Sequence, residues 1–247
     1  MIRGLDVSSA GMLAQQQRFD SVANNLANVS TAGYRRQITA INSFSNVLGN
    51  VTLPPVMPPF PMNPAPTPAP NMLCTVDAVD TQNGKLRTTS LPTDLALQGD
   101  GYFAIQTPTG EVYTRNGAFT LAAGGKLVSQ EGYQVMGEQG PVTVNSANWR
   151  VTSQGDVVED GKVTNRLKLV TLDPASVTRA GSTAWKAANV TKATQLSITQ
   201  GSLEESNVNP VMEMISMITA TRNFEANQRV VQALDATLDR AVNDIAR

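Results

Sequence analysis

Two heptad patterns bracket the chain. Leu5, Met12, Phe19 and Leu26 recur every seven residues near the start, and Met217, Phe224, Val231, Leu238 and Ile245 do so near the end. A seven-residue apolar repeat marks a helix with one face to bury against another helix. Val22 and Val29 add a second line, but Ser8 and Gln15 hold its earlier places, so half of that line is polar. The pattern predicts a helix over residues 1–30, with Gly33 where a left-handed cap belongs. At the other end Asn209 can cap and Pro210 suits a first helical turn. No Pro or Gly follows Pro210. A continuous helix over 210–245 is therefore expected, roughly 50 Å long at about 1.5 Å per residue.

Between these ends the period drops toward two. YFAIQ, EVYTR, AFTL, KLVSQ, YQVMG, WRVTS and RLKLVTL are short β-favouring runs. Asn116-Gly117, Gly124-Gly125, Glu131-Gly132, Gly155-Asp156 and Asp160-Gly161 punctuate them as turns. Strands this short and turns this frequent predict antiparallel pairing, since nothing long enough for a helical crossover intervenes. Residues 37–53 are ambiguous. Nine of the chain's 14 prolines then fall between Pro54 and Pro70. That segment reads as an extended spacer, with a ligand for an aromatic-lined groove as the sharper alternative.

The expected architecture is α+β, with long N- and C-terminal helices paired as a coiled coil and a central antiparallel β-rich domain. In residue numbers, 1–36 is the N-terminal helix of a core domain, 37–73 a connector, 74–205 a β-rich outer domain and 206–247 the C-terminal core helix. Gln, Ser, Thr and Asp interrupt both seams. The helix pair is thus expected to be marginal alone, mobile in a monomer and completed by neighbouring copies.

Composition narrows the chemistry. The 247 residues are 41% hydrophobic but only 5% aromatic and 16% charged, so small side chains and amides must do much of the packing. The formal net charge is −1, which gives no global attraction to nucleic acid or an anionic surface. The chain has no histidine, the commonest general base and metal ligand. Cys74 is alone, so no intramolecular disulfide can form, and it reads as a small packed hydrophobe. No cofactor is expected. No run approaches 18 apolar residues, and MIRGLDVSSAGMLAQQQ lacks the apolar stretch of a secretory signal. A cytoplasmic protein, or one exported without a cleaved signal, fits both observations.

Some short motifs invite chemistry. Gly99-Asp100-Gly101 offers one carboxylate, too few for a metal, and reads as a tight turn before Tyr102-Phe103. Glu204 and Glu205 are adjacent, so on a strand they would face opposite ways; they are expected to be solvated positions before the helix. Arg35 and Arg36 are a weak phosphate signal beside a neutral chain. Asn24, Asn25 and Asn28 crowd a helix end, where amides are poor helix formers. They could bond to the backbones of neighbouring helices and fix a register, or simply be tolerated at a fraying terminus.

ANNLANVSTAGYRR (23–36) resembles the N-terminal signature of bacterial flagellar rod and hook proteins. LQGDGYFAIQTPTGEVYTRNGAFTLAAGGKLVSQEGYQVMG (97–137) resembles that family's central block. QGSLEESNVNPVMEMISMITATRNFEANQRVVQALDATLDRAV (200–242) resembles its C-terminal block, with Phe224-Glu225-Ala226-Asn227 as the aromatic-Glu-x-Asn step. The GDGYF block and the short length look most like basal-body rod proteins of FlgF and FlgG type, with a hook-type subunit as the alternative; the Pro-rich segment departs from the pattern. The resemblance implies a non-enzymatic structural subunit of the flagellar basal body. It implies export unfolded through the flagellar type III apparatus, helical polymerisation across the periplasm, and partners among copies of itself and other rod and hook proteins. It implies no nucleic acid partner and no membrane insertion.

On this reading Leu5, Met12, Phe19, Val22, Leu26, Met217, Phe224, Val231, Leu238 and Ile245 form the assembly interface. Asn24, Asn25, Asn28, Gly33 and Tyr34 carry the family motif and an assembly role. Two rival classes predict other behaviour. A cell-wall glycosidase using Asp/Glu pairs would turn over peptidoglycan, and a β-domain binder dimerised by a coiled coil would form a discrete dimer.

Overall fold

A computed structural model describes residues 2–43, 73–173, 177–193 and 196–245. The Pro-rich segment 54–70 lies outside the described residues, as does the side chain of Cys74. Helix α1 runs Ile2–Ala27 and helix α2 runs Pro210–Ile245. Short strands fill the chain between them, and every strand pairing among the described residues is antiparallel.

The chain divides into two compact units. The first comprises residues 1–26, 37–80 and 210–247. It holds α1, α2 and a two-stranded ladder of Gln37–Ser43 against Leu73–Val79. The second comprises 27–36 and 81–209 and holds the remaining strands.

The expectation that the terminal helices pair as a coiled coil is corrected here; the α+β division stands. The helices face each other at Gly11 and Asn227, and Gln15, Gln16 and Phe19 share a hollow with Ala220, Thr221 and Phe224, but the heptad residues do not form a buried seam there. Phe19, Phe224 and Leu238 keep 38%, 37% and 37% of their surface exposed. The buried line of α1 is made instead of Ser8, Ala14, Ser21, Val22 and Asn25, mostly small or polar. These cannot supply the knobs that a coiled-coil seam needs. The approach at Gly11 is close: a Cβ there would stand 3.1 Å from Asn227 Nδ2. A heptad stripe says which face seeks burial, but not which surface will bury it.

In the second unit the strand Tyr102–Thr107 is central. Its period-two alternation sends Phe103 and Ile105 into one core and Ala104 into another. Phe103 meets Phe119 edge to face, with centroids 5.2 Å apart and planes at 83°. Tyr113, Val170, Leu172 and Trp185 pack with Ala104 on the opposite face. The turns are those expected from their residues. Asp160 and Gly161, with φ of 47° and 84°, join Glu159 to Lys162 as a two-residue hairpin loop with both positions left-handed.

Both tryptophans, Trp149 and Trp185, lie in the second unit, so their fluorescence reports its unfolding alone. Phe103→Ala is expected to cost that unit about 3–5 kcal/mol. Denaturant unfolding followed by tryptophan fluorescence measures it; a loss under about 1 kcal/mol would mean that this ring does not hold the core.

Candidate functional site

Three stretches remote in sequence meet inside the second unit: Thr31–Arg36, Arg115–Gly117 and Ser202–Asn207. Their centre is the carboxylate of Glu204. The Ser202–Glu204 strand pairs with Leu86–Thr88, which places Glu204 opposite Leu86. Arg115 Nε donates to Glu204 Oε2 at 2.5 Å, and Arg35 Nη2 approaches Oε1 at 2.9 Å. The Gly84 N–H also donates to Oε1, at 2.8 Å. All three charged side chains are at most 4% exposed.

Two guanidiniums around one carboxylate leave one positive charge in excess, and oxygen dipoles answer it. Arg115 Nη2 donates to the carbonyls of Leu97 at 3.0 Å and Gly99 at 2.7 Å, and Nη1 to that of Gly101. Arg35 donates to the Gln82 carbonyl and, at 2.8 Å, to Asn83 Oδ1. The Gly99-Asp100-Gly101 turn therefore serves as part of a guanidinium cradle. Such a buried set holds together only if each charge keeps its partners, because an orphaned charge cannot recover its hydration.

The expectation of solvated carboxylates before the helix fails for Glu204. Its neighbour Glu205 faces the other way, is exposed and reaches Arg87 at 3.3 Å. Alternation separated the two side chains, but which of them went inward was set by the partners waiting there.

Gly33 has the left-handed φ of 68° that a cap would require, but it does not cap α1. Its N–H donates to the Glu204 carbonyl at 2.8 Å. A Cβ there would stand 2.5 Å from the Arg115 and Asn116 backbone, so glycine is needed twice over. The next residue, Tyr34, is buried. Arg179 lies 5.0 Å from the centres of both the Tyr34 and Trp185 rings, and donates to the Arg35 carbonyl at 3.1 Å.

The three amides of the N-terminal motif part ways. In the first unit Asn25 is buried and pairs reciprocally with the Gln37 backbone. Its Nδ2 donates to the Gln37 carbonyl at 2.8 Å, and the Gln37 N–H donates to its Oδ1 at 2.8 Å. Asn25 thus imitates a strand partner within its own chain. Asn28 Oδ1 accepts from Thr31 Oγ1 at 3.2 Å, and Asn24 is exposed.

Of the seam residues, Val22 is buried, Met12, Leu26, Met217 and Val231 are half-buried, and Phe19, Phe224 and Leu238 are exposed. The side chains of Leu5 and Ile245 lie outside the described residues. Phe19 and Phe224 do come together, with Gln15, Gln16, Ala220 and Thr221, around an open hollow of about 320 Å³ in the first unit. Sequence reasoning missed Arg115, Arg179, Asn207 and the inward turn of Glu204. Arg115 stood in the quoted central block, but nothing local marked it as buried.

Comparison with known proteins follows the same three blocks. Residues 5–35 match the family description "Flagella basal body rod protein". Residues 96–165 match "Flagellar hook protein FlgE/F/G D1 domain", and 199–244 match "Flagellar basal body rod FlgEFG protein C-terminal". The class is thus that of flagellar rod and hook proteins. The flagellar basal-body rod protein FlgF of Escherichia coli (strain K12) is 34% identical over 89% of this chain and 88% of its own length. FlgF of Mesorhizobium japonicum is 28% identical, covering 98% of this chain and 97% of its own. The rod protein FlgG of Borreliella burgdorferi is 29% identical over 98% of each. The chain belongs to the FlgF/FlgG family of flagellar basal-body rod proteins, structural subunits of the flagellar basal body.

Glu204→Gln is expected to destabilise the second unit by about 3–5 kcal/mol, because both guanidiniums lose their counter-charge. Urea unfolding read by tryptophan fluorescence tests this, and a loss below about 1 kcal/mol would show the cluster to be energetically idle.

The same unit should weaken in alkali. Burial lifts the Tyr102 phenol above its ordinary value, offset in part by Arg35 and Arg115. Tyr113 is lifted too, by burial and then by Glu111. Below about pH 10 both states keep these protons, so nothing changes. Above it the unfolded chain ionises first, binds fewer protons than the native one, and stability falls as pH rises. The urea midpoint should drop above about pH 10, and by less in Tyr102→Phe. An identical drop in that variant would remove Tyr102 as a source.

Proposed function

We propose that copies of this chain polymerise helically through their terminal helices to build the axial shaft that carries torque in the basal body. The observation that supports this is an inversion along the first turns of α2. Val211, Met212, Met214, Ile215 and Ile218 are each more than half exposed, whereas Glu213 is 1% exposed. On α1, Leu13 is 65% exposed and Val7 nearly half. So much apolar helix surface in one unit is what a monomer covers by associating.

In this reading the exposed and half-buried seam residues Met12, Phe19, Leu26, Met217, Phe224, Val231 and Leu238 meet neighbouring copies, with Leu5 and Ile245 at the far ends. Val22, already buried, holds the stripe from beneath. Asn25, Gly33 and Tyr34 act indirectly, by fixing the chain where α1 ends; Asn24 and Asn28 stay with the same motif. The core part takes residues 1–36 and 206–247, residues 37–73 connect, and 74–205 form the outer layer. Other rod and hook proteins cap the two ends of the polymer. The chain reaches its site unfolded through the flagellar type III apparatus.

No enzymatic role belongs to this reading. The adjacent carboxylates that could suggest hydrolysis are engaged, Glu204 by two arginines and Glu205 by Arg87. Nor does the reading include insertion in a membrane or a nucleic acid partner; no described helix is long and apolar enough to cross a bilayer.

Purified chain should pass from monomer to tubes as its concentration rises, as seen by sedimentation and negative-stain microscopy. Ile215→Lys combined with Ile218→Lys should leave the monomer's tryptophan emission unchanged and raise the critical concentration at least about tenfold. A discrete dimer that ignores both substitutions would favour the binder reading instead.

A further inference from the structure

The chain crosses between its two units at 26/27, 36/37, 80/81 and 209/210. Just inside the second unit, the segments behind the last three crossings are tied to one another in a closed triangle. Segment 34–36 holds 82–83 through Arg35, which donates to the Gln82 carbonyl and to Asn83 Oδ1 at 2.8 Å. Segment 34–36 holds 207 through the Arg36 N–H, which donates to Asn207 Oδ1 at 2.7 Å, and through the Tyr34 carbonyl, which accepts from the Asn207 N–H at 3.4 Å. Asn207 closes the figure, donating from Nδ2 to the Gln82 carbonyl at 3.1 Å. One amide side chain thus serves two of the three edges.

The position of this triangle matters mechanically. Directly behind it the strands Leu86–Thr88 and Ser202–Glu204 run antiparallel, with Leu86 opposite Glu204 at the end nearest the crossings. A load arriving along the backbone from 80/81 and 209/210 pulls the two arms of that fork apart at its mouth. An antiparallel ladder pulled in this way breaks one rung after another and never shares the load among its hydrogen bonds. The triangle stands outside the mouth and ties both arms to each other and to a third segment. All its bonds must yield together before the first rung is reached.

We infer that the Gln82–Arg35–Asn207 triangle is a force-bearing clamp, and that Asn207 is its positioning residue. It keeps load on the chain crossings from peeling the β-module open. The clamp works within a single molecule, whether or not copies polymerise. Its failure and that of the polymerisation reading are therefore separately visible.

Optical tweezers attached through Val79→Cys and Val211→Cys of the full chain, in a Cys74→Ser background, load the 80/81 and 209/210 crossings directly and test this, with the unfolding lifetime of the second unit at constant load as the readout. Asn207→Ala is compared with Val157→Ala, which opens the core of the same unit away from the crossings. For an equal fall in denaturant midpoint, Asn207→Ala should shorten the loaded lifetime about tenfold more, the effect of roughly one hydrogen bond lost at the barrier. Asn207→Asp keeps the acceptor for the Arg36 N–H and loses the donor to Gln82, so its lifetime should fall between wild type and alanine. It carries the comparison if the alanine variant does not fold. Lifetimes that follow denaturant stability alone, on one line for all variants, would overturn the clamp. So would wild-type lifetime under load in Asn207→Asp.

Discussion

A carboxylate held between two guanidiniums, out of reach of water, is the constraint on which the second unit depends. Glu204 reaches the interior only because Arg35 and Arg115 arrive with it, and each arginine is tolerable only because carbonyl oxygens complete its shell. The partners lie 169 and 89 positions away along the chain, the differences between 204 and 35 and between 204 and 115. Bringing them together draws in an N-terminal segment and a late strand around the middle of the sequence. The left-handed Gly33, pressed against the Arg115 backbone, and Tyr34, stacked on Arg179, follow from that closure.

The first unit is organised by a different rule. Its helices turn small and polar positions inward and leave much of their apolar surface outside. With only 5% aromatic residues the chain has few large anchors, and buried amides such as Asn25 take over part of the work through paired backbone bonds. A protein meant to remain a monomer would put Ile215 and Ile218 inside and Glu213 outside. A subunit of a larger structure gains from the opposite arrangement, because the area withheld from its own core drives association. In the proposed polymer this exposed apolar surface is what neighbouring copies would cover.

Side-chain amides act throughout as surrogate backbone. Asn25 pairs with Gln37 as a strand would, and Asn207 bridges two backbones that no ladder joins. An amide offers a donor and an acceptor in one plane, so it can close a reciprocal pair where the chain must change direction and regular pairing ends. That explains why asparagines gather at the ends of the helical segments, where they are poor helix formers.

What the amino-acid sequence determined by itself was local and periodic. The C-terminal helix from Pro210, the helix at the start, the short antiparallel strands and the Asp160-Gly161 hairpin follow from spacing and turn chemistry, which act over a few residues. The three family blocks were legible for the same reason, as contiguous strings. Tertiary structure decided the rest. The shared heptad suggested that the helices pair, yet α1 buries Ser8, Ala14 and Ser21 and exposes Leu13 and Phe19. Glu204 and Glu205 looked alike until distant arginines chose one of them. A period reveals that a face seeks burial and an alternation reveals that neighbours part. Which surface or charge receives them depends on residues far along the chain, 89 and 169 positions away for Glu204, and only the closed chain brings those into range.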